Sequence, residues 1–237
     1  MSVLLLQLAG PLQAWGSAAR FARRTTENAP TKSGVLGLLA AAQGRERTSD
    51  LSDLAALRFG VRLDQPGTRV RDYQTARHLD TGAAMPVSER FYLADAVFVA
   101  AVKGEDALIG ELHRAVRAPE FLPYLGRRSC PPARPIDIGV RTGMDLEEAL
   151  AVEEWRASTW YQRSRARQAT VTLTTLIDAA PGATGADSRR DLPLSFDPLH
   201  RRYALRGLRT DTVEVANPRA RRPAVPAHDP TSLLGGD

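Results

Sequence analysis

The chain has 237 residues, 43% of them hydrophobic, which is enough for a substantial core in one large domain or two small ones. No apolar run approaches the ~20 residues of a membrane helix, the first residues lack the charged and cleavable pattern of a signal peptide, and one cysteine (Cys130) with four scattered histidines leaves no disulfide framework and no cysteine-based metal site. The reading is of a cytoplasmic protein without a metal or other cofactor, net charge +5, whose only lysines are Lys32 and Lys103. Arginine forks match phosphate and stack on bases, so this bias favours a nucleic-acid partner, although GC-rich coding DNA also inflates arginine.

In chain order, Ser2 to Ala9 is a nearly continuous apolar run of strand length, as expected for a central strand covered on at least one face. Pro11 breaks it, and Gly10 to Gly16 (GPLQAWG) places Gln13 and Trp15 on a loop just beyond a sheet. Trp15 there can plug the edge of the core or serve as a stacking platform, and the pattern does not choose. Ser17 to Thr26 carries Arg20, Arg23 and Arg24 around Phe21 and leads into the next helix; a solvated charge run is the default for such a stretch, and its position between Trp15 and Lys32 favours a functional role.

That helix spans Pro30 to Gly44, with Pro30 and Thr31 at its start, Val35, Leu36, Leu38 and Leu39 on its apolar face, and Gly44 as a stop. Lys32, Ser33 and Gly34 fall in its first turn, where amide groups lack helical partners. A cation, a hydroxyl and bare donors therefore converge on a spot that suits phosphate. The blander alternative is that Ser33 merely caps the helix while Gly34 and Gly37 let it pack closely against a sheet. Thr26 to Pro30 supplies no glycines before the Lys-Ser pair, which excludes a nucleotide-triphosphate P-loop.

Ser49 to Leu57 has the capping and spacing of a short helix, and Arg58 to Asp64 and Thr68 to Thr75 alternate as strands around Gln65-Pro66-Gly67. Ala76 to Ser88 is polar, with Arg77, His78, Asp80 and Gly82 and little to bury, and reads as the tip of a projecting thumb. Glu89 to Val102 resumes as one long strand, Gly104 to Arg117 fits a helix, and Ile136 to Arg141 adds another extended segment. Together these complete a split βαβ, ferredoxin-like unit, the scaffold also used by RNA-recognition modules.

Between that helix and last strand, Pro119 to Pro135 holds five prolines and a glycine; Phe121, Leu122, Tyr124 and Leu125 can pin the loop so that Arg127, Arg128, Ser129 and Cys130 are presented in a fixed place. An ordered basic loop loses less entropy on binding than a floppy one. Past Gly143 the texture changes: Met144 to Trp155 is acidic and helical, Arg163, Arg165 and Arg167 follow, Ala169 to Ile177 alternates as a strand, and Arg201 to Val215 is extended in character. The fold class is thus α+β: a ferredoxin-like domain over 1–143 with a thumb near 76–90, a small accessory domain over 144–216, and a mobile tail over 217–237.

Four stretches carry a family resemblance: LLLQLAGPLQAWG, APTKSGVLGLLAAAQGRER, SERFYLADAVFVAAV and EFLPYLGRRSCPPARP, in that order over residues 3 to 135. Together they resemble the CasD subunits of subtype I-E CRISPR Cascade, the fifth Cas protein family; residues 144 to 237 resemble it only loosely. The resemblance implies an antiviral ribonucleoprotein subunit with an RNA-recognition-type (RAMP) core. Such a subunit holds and bends the 5′ handle of the CRISPR RNA, touches the backbone subunit through its thumb and the large subunit beside it, and meets target DNA only indirectly. It implies RNA contacts at Gln13, Trp15, Gly16, Arg20, Lys32, Ser33, Gly34, Arg77, Arg90, Tyr92, Arg127, Arg128 and Ser129. Non-catalytic function follows from the same likeness. The alternative is a metal-independent endoribonuclease acting on repeat RNA, for which Tyr92, Lys32 and His78 are the groups available.

Overall fold

The computed structural model describes residues 1–16, 23–180, 183 and 186–221. Along the chain, β1 (Ser2–Ala9) leads through two short strands, β2 (Leu12–Gln13) and β3 (Arg23–Arg24), to α1 (Lys32–Ala42) and α2 (Ser52–Ala55). Four strands follow, β4 (Arg58–Gln65), β5 (Thr68–Gln74), β6 (Ser88–Ala94) and β7 (Val97–Gly104), and then α3 (Asp106–Arg117) and β8 (Asp137–Thr142). The remainder supplies α4 (Leu146–Val152), α5 (Thr159–Ser164), β9 (Thr170–Asp178), β10 (Asp187–Ser195) and β11 (Arg202–Ala216).

Strands β8, β1, β7 and β4 lie side by side in that order, each antiparallel to its neighbour, with α1 joining β1 to β4 and α3 joining β7 to β8. This is the split βαβ arrangement expected from the sequence. Every residue of β1 is buried because the sheet is covered on both faces. Leu4, Leu6 and Leu8 point into the main core with Val35, Leu36 and Leu39 of α1 and Ile109 and Leu112 of α3, while Val3 and Leu5 meet Leu146, Ala149 and Leu150 of α4. A period-2 strand with both faces apolar reads as an unbroken apolar run for this reason.

The expected division at residue 143 does not divide the sheet. β9 pairs with β4 at Gly60 to Arg62, β11 pairs with β9, and β10 lies outermost, giving one seven-stranded sheet. β10, which has no strand signature in the sequence, carries Pro193 and a register irregularity around it, both tolerated on an edge strand. The expected tail also starts later than residue 217. Asn217 is buried and donates from Nδ2 to the carbonyls of Gln162 (3.2 Å) and Arg165 (2.9 Å); residues 222–237 lie outside the described residues, as do Arg20, Phe21 and most of the 181–185 loop.

A buried ion cluster ties the late strands to α1. Lys32 Nζ bonds Asp178 Oδ2 at 2.9 Å, and the Lys32 amide donates to Asp191 Oδ2 at 2.9 Å. Arg206 reaches Asp178 from Nη1 at 2.6 Å and grips Asp191 with Nε and Nη2 at 2.6 and 3.1 Å. Burial works against the Arg206 charge, but hydrogen bonding and Coulomb attraction from Asp191 and Asp178 outweigh it and raise its pKa. A second buried pair, Arg62 with Asp64, holds the chain after α4: Arg62 also donates to the carbonyls of Leu150, Glu153 and Glu154, and Asp64 accepts the Arg156 amide.

A smaller sheet rises from one end of the main one. It runs β2, β6, β3, with β5 pairing β6 from Thr68–Ala94 to Gln74–Ser88. The two strands expected around Gln65 to Gly67 are present but are not partners; the chain turns a corner there from the large sheet into the small one. Gly67 has φ +71°, and a Cβ at this position would lie 2.6 Å from the Ala94 carbonyl oxygen, so only glycine fits. The strand expected from Glu89 to Val102 is cut at the matching corner by Asp95, a non-glycine residue at φ 53°, a conformation that aspartate tolerates better than most.

Replacing Asp191 by Ala strips a buried guanidinium and a helix-start amide of their acceptor. We expect a loss of about 3–5 kcal/mol in urea unfolding. The exposed Glu147→Ala, which removes only surface pairs to Arg58 and Arg209, should stay within about 1 kcal/mol.

Candidate nucleic-acid interface

The site grows from three segments that meet at the base of the small sheet. The loop after β1 is anchored by Gln13, whose Nε2 donates to the carbonyls of Leu8 (3.0 Å) and Ala96 (2.8 Å) and whose Oε1 accepts the Trp15 indole at 3.0 Å. Thr26 and Glu27 then clasp the Trp15 backbone, through Trp15 N to Thr26 Oγ1 at 2.8 Å and Glu27 N to Trp15 O at 2.6 Å. The proline-rich loop closes the third side: Ala14 N donates to Leu125 O, Leu125 N to Cys130 O, and Cys130 N to Arg127 O.

The loop is as rigid as its prolines imply. Gly126 has φ +82°, and a Cβ there would lie 1.8 Å from the Ala14 carbonyl oxygen. Upstream, the Glu120 and Phe121 amides donate to Ala42 O and Ala41 O, satisfying the last carbonyls of α1. Cys130 is sealed beneath, and burial pushes its thiol pKa up, which suits a packing role rather than a reactive one.

Above this frame lies a cluster of arginines. Parallel pairing sets Arg24 of β3 beside Arg90 of β6. Tyr92, two residues along on the same face, is covered by the Arg127 guanidinium 4.6 Å from its ring centroid. Arg127 Nη2 donates to the Arg24 carbonyl at 2.9 Å, while its buried Nη1 has no hydrogen-bond partner among the described residues. Arg90 donates from Nε to Ser88 Oγ, and Arg128 and Ser129 project into solvent beyond them. The opposite face of the same sheet carries Arg23, Arg71, Tyr73 and Phe91 around Glu89.

The thumb is the β5–β6 hairpin with residues 75–87 at its tip, held by a bridge between Arg77 and Ala84 and by Met85 N to Ala76 O. Its tip exposes Leu79 almost completely, with Met85 and Val87 half exposed.

The structure gathers Arg90, Tyr92, Arg127, Arg128 and Ser129 at one place, with Gly16 exposed at its edge and Arg77 farther out on the thumb. Arg20 lies outside the described residues, and the other expected contacts are not gathered there. Gln13 and Trp15 are fully buried, with Trp15 packed over Gly34, so the indole is a core plug rather than a stacking platform. Lys32 and Ser33 are buried as well, and the first turn of α1 already holds its anion, the Asp191 carboxylate. Thr31, not Ser33, is the cap, accepting the Gly34 amide at 3.2 Å. Tyr92 contributes as the shelf under Arg127, its ring buried. Lys32, Tyr92 and His78 thus sit in three different surroundings, α1, the small sheet and the thumb tip, and form no acid–base pair.

Sequence pattern alone does not single out Arg69 or Arg71, although the Thr-Arg-Val-Arg-Asp-Tyr alternation of β5 puts Arg69, Arg71 and Tyr73 on one face. Arg69 is partly committed, to Thr26 O and Asn28 Oδ1. Among the described residues no cluster of three or more His, Cys, Asp or Glu side chains is placed to hold a metal ion.

Comparisons with known proteins agree on one relationship. The family profile described as CRISPR-associated protein (Cas_Cas5) matches residues 3–209. The CRISPR system Cascade subunit CasD of Escherichia coli (strain K12) is 39% identical over 170 residues, 63% of this chain and 75% of the relative. Two solved structures superpose along nearly the whole length. One is a crystal structure of a Cas protein (35% identity, TM-score 0.68, 92% of this chain and 97% of that one). The other is a chain of a CRISPR RNA-guided surveillance complex (32% identity, TM-score 0.73, 98% and 97%).

Gly126→Ala should lower stability by at least about 1–2 kcal/mol, because a non-glycine residue is forced into left-handed backbone against the Ala14 carbonyl, and should speed proteolysis of the 119–135 loop. Arg128→Ala, on the same loop but exposed, should leave both unchanged.

Proposed function

This chain belongs to the CRISPR-associated Cas5 family, and from that premise we propose that it is the subunit of a Cascade-type surveillance complex that holds and bends the 5′ handle of the guide RNA. The observation that carries the reading is the cluster of Arg24, Arg90 and Arg127 on one face of the small sheet, with the exposed Arg128 and Ser129 beyond it. Arginines fixed in advance lose little conformational freedom on meeting a phosphate and can present paired donors to it. A single strand bent across them has its bases unstacked, and unstacked bases can be read at their edges.

Backbone contacts supply most of the affinity in this scheme and a few base contacts supply the register. The apolar thumb tip, with Leu79, Met85 and Val87 in solvent, suits a protein neighbour along the complex better than it suits RNA. The frame under the arginines, built from Gln13, Trp15 and Gly126, keeps the cluster in place and does not touch RNA.

In a salt titration with handle RNA, Arg24→Ala, Arg90→Ala and Arg127→Ala should each weaken binding. Each should also flatten the plot of log affinity against log salt, by up to about 0.7 for every phosphate left without its arginine. Lys32→Met should leave that slope unchanged whatever it does to stability, since Lys32 faces Asp178. A Lys32 variant that flattens the slope while the three arginine variants do not would reverse the assignment. Repeat RNA incubated with the purified chain in EDTA should remain intact.

A further inference from the structure

We propose that α5 and the turn after it form a second nucleic-acid surface, separate from the arginine cluster on the small sheet, where one base of a passing single strand stacks on Trp160 near the helix start and the arginines toward and beyond the helix end take the flanking phosphates. This inference goes beyond the proposed handle site and shares no residue with it.

The surface is assembled from two distant parts of the chain. α5 and the turn after it contribute Arg163, Arg165 and Arg167, with Arg163 and Arg167 exposed. The turn that follows β11 is docked onto the same spot by Asn217, whose side chain bonds Gln162 O and Arg165 O, and by Arg221 N donating to Ala166 O at 2.7 Å; it brings exposed Arg219 and Arg221 alongside. Among the described residues none of these five arginines forms an ion pair, and the only side-chain hydrogen bond they make is Arg165 Nη2 to the Tyr161 hydroxyl at 2.9 Å. Cations near a helix C-terminus are favourable for the helix itself, but that effect is confined to the last turn and does not account for arginines delivered from beyond β11.

An aromatic platform adjoins the charge. Trp160 is 59% exposed, which is unusual for an indole held this firmly: its Nε1 donates to Asp95 Oδ2 at 3.0 Å, and its ring meets Tyr161 edge-on at 5.5 Å. Tyr161 in turn carries the Arg165 guanidinium 5.1 Å from its centroid. Beside Tyr161 and Arg165 opens a cavity of about 180 Å³ bordered by Pro66, Val171 and Leu173. A fixed, exposed aromatic face flanked by uncommitted arginines matches the chemistry of single-stranded nucleic acid, in which every base offers a π-face and every linkage a charge. Such a surface does not select sequence, and RNA and DNA strands both satisfy it.

The tryptophans allow a direct test. Trp15 and Trp155 are 1% and 3% exposed, so quenching of tryptophan emission by a stacked base reports on Trp160 alone. The full chain carrying Arg24→Glu and Arg128→Glu, which disables the handle site, is titrated with oligo(U) and with oligo(dT). We expect saturable quenching, removed by Trp160→Phe and weakened roughly tenfold or more by Arg163→Glu with Arg167→Glu. Oligo(U) quenching more strongly than oligo(dT) would assign the surface to RNA, and the reverse to DNA. Absence of quenching by either strand, or quenching that survives Arg163→Glu with Arg167→Glu, would overturn the proposal without touching the handle site.

Discussion

The fold turns on a four-membered ion cluster, Lys32, Asp178, Asp191 and Arg206, that has no exposed member. Each ion taken from water into this interior costs several kcal/mol, and the cluster is tolerable only because every charge meets an opposite one in hydrogen-bonding geometry. It ties the start of α1 to β9, β10 and β11, drawn from opposite ends of the chain. The pairing of β9 with β4 makes the late strands a continuation of the ferredoxin-like sheet, and the cluster clamps α1 onto those strands and so fixes its axis. That axis matters for the arginine cluster, because the carbonyl end of α1 is where the proline-rich loop is hydrogen-bonded into place.

Much of this was legible in the sequence. β1, α1, α3 and β8 are long enough, or periodic enough, for their apolar spacing to specify them, and their order determines the split βαβ unit. The corners at Gly67 and Asp95 are not legible as corners: alternation marks residues as extended but carries no information about which sheet a strand joins, so β4 and β5 read only as two strands around a turn and β6 with β7 as one strand. The accessory domain was inferred from a change of composition past Gly143, and composition is blind to the strand pairing of β9 with β4.

The site was half legible, for a similar reason. A lysine and bare amides at a helix start announce an anion, and an anion is indeed there; the sequence cannot say that it belongs to the protein's own Asp191. Trp15 on a loop between glycines has two readings, and the three-way clasp of Gln13, Thr26 and Glu27 holds it in the core. The proline-rich loop fared best because its rigidity is local chemistry: proline fixes φ, and Gly126 supplies the one turn that nothing else fits. Arg24 stands out in the sequence only as one member of a basic segment; its pairing with Arg90, far along the chain on β6, shows which face it joins.

Two arginine-rich surfaces result, one framed by the N-terminal loop, the small sheet and the proline-rich loop, the other by α5 and the turn after β11, with the base of the thumb between them through Asp95. The handle of the guide RNA is assigned to the first. Guide RNA carrying 4-thiouridine within its 5′ handle, photocrosslinked in an assembled complex and mapped by mass spectrometry, addresses it directly. Crosslinks on this chain should fall at the Arg127–Cys130 loop and the adjoining β3 and β6 strands. Crosslinks confined to other subunits, or centred on the first turn of α1, would contradict the account.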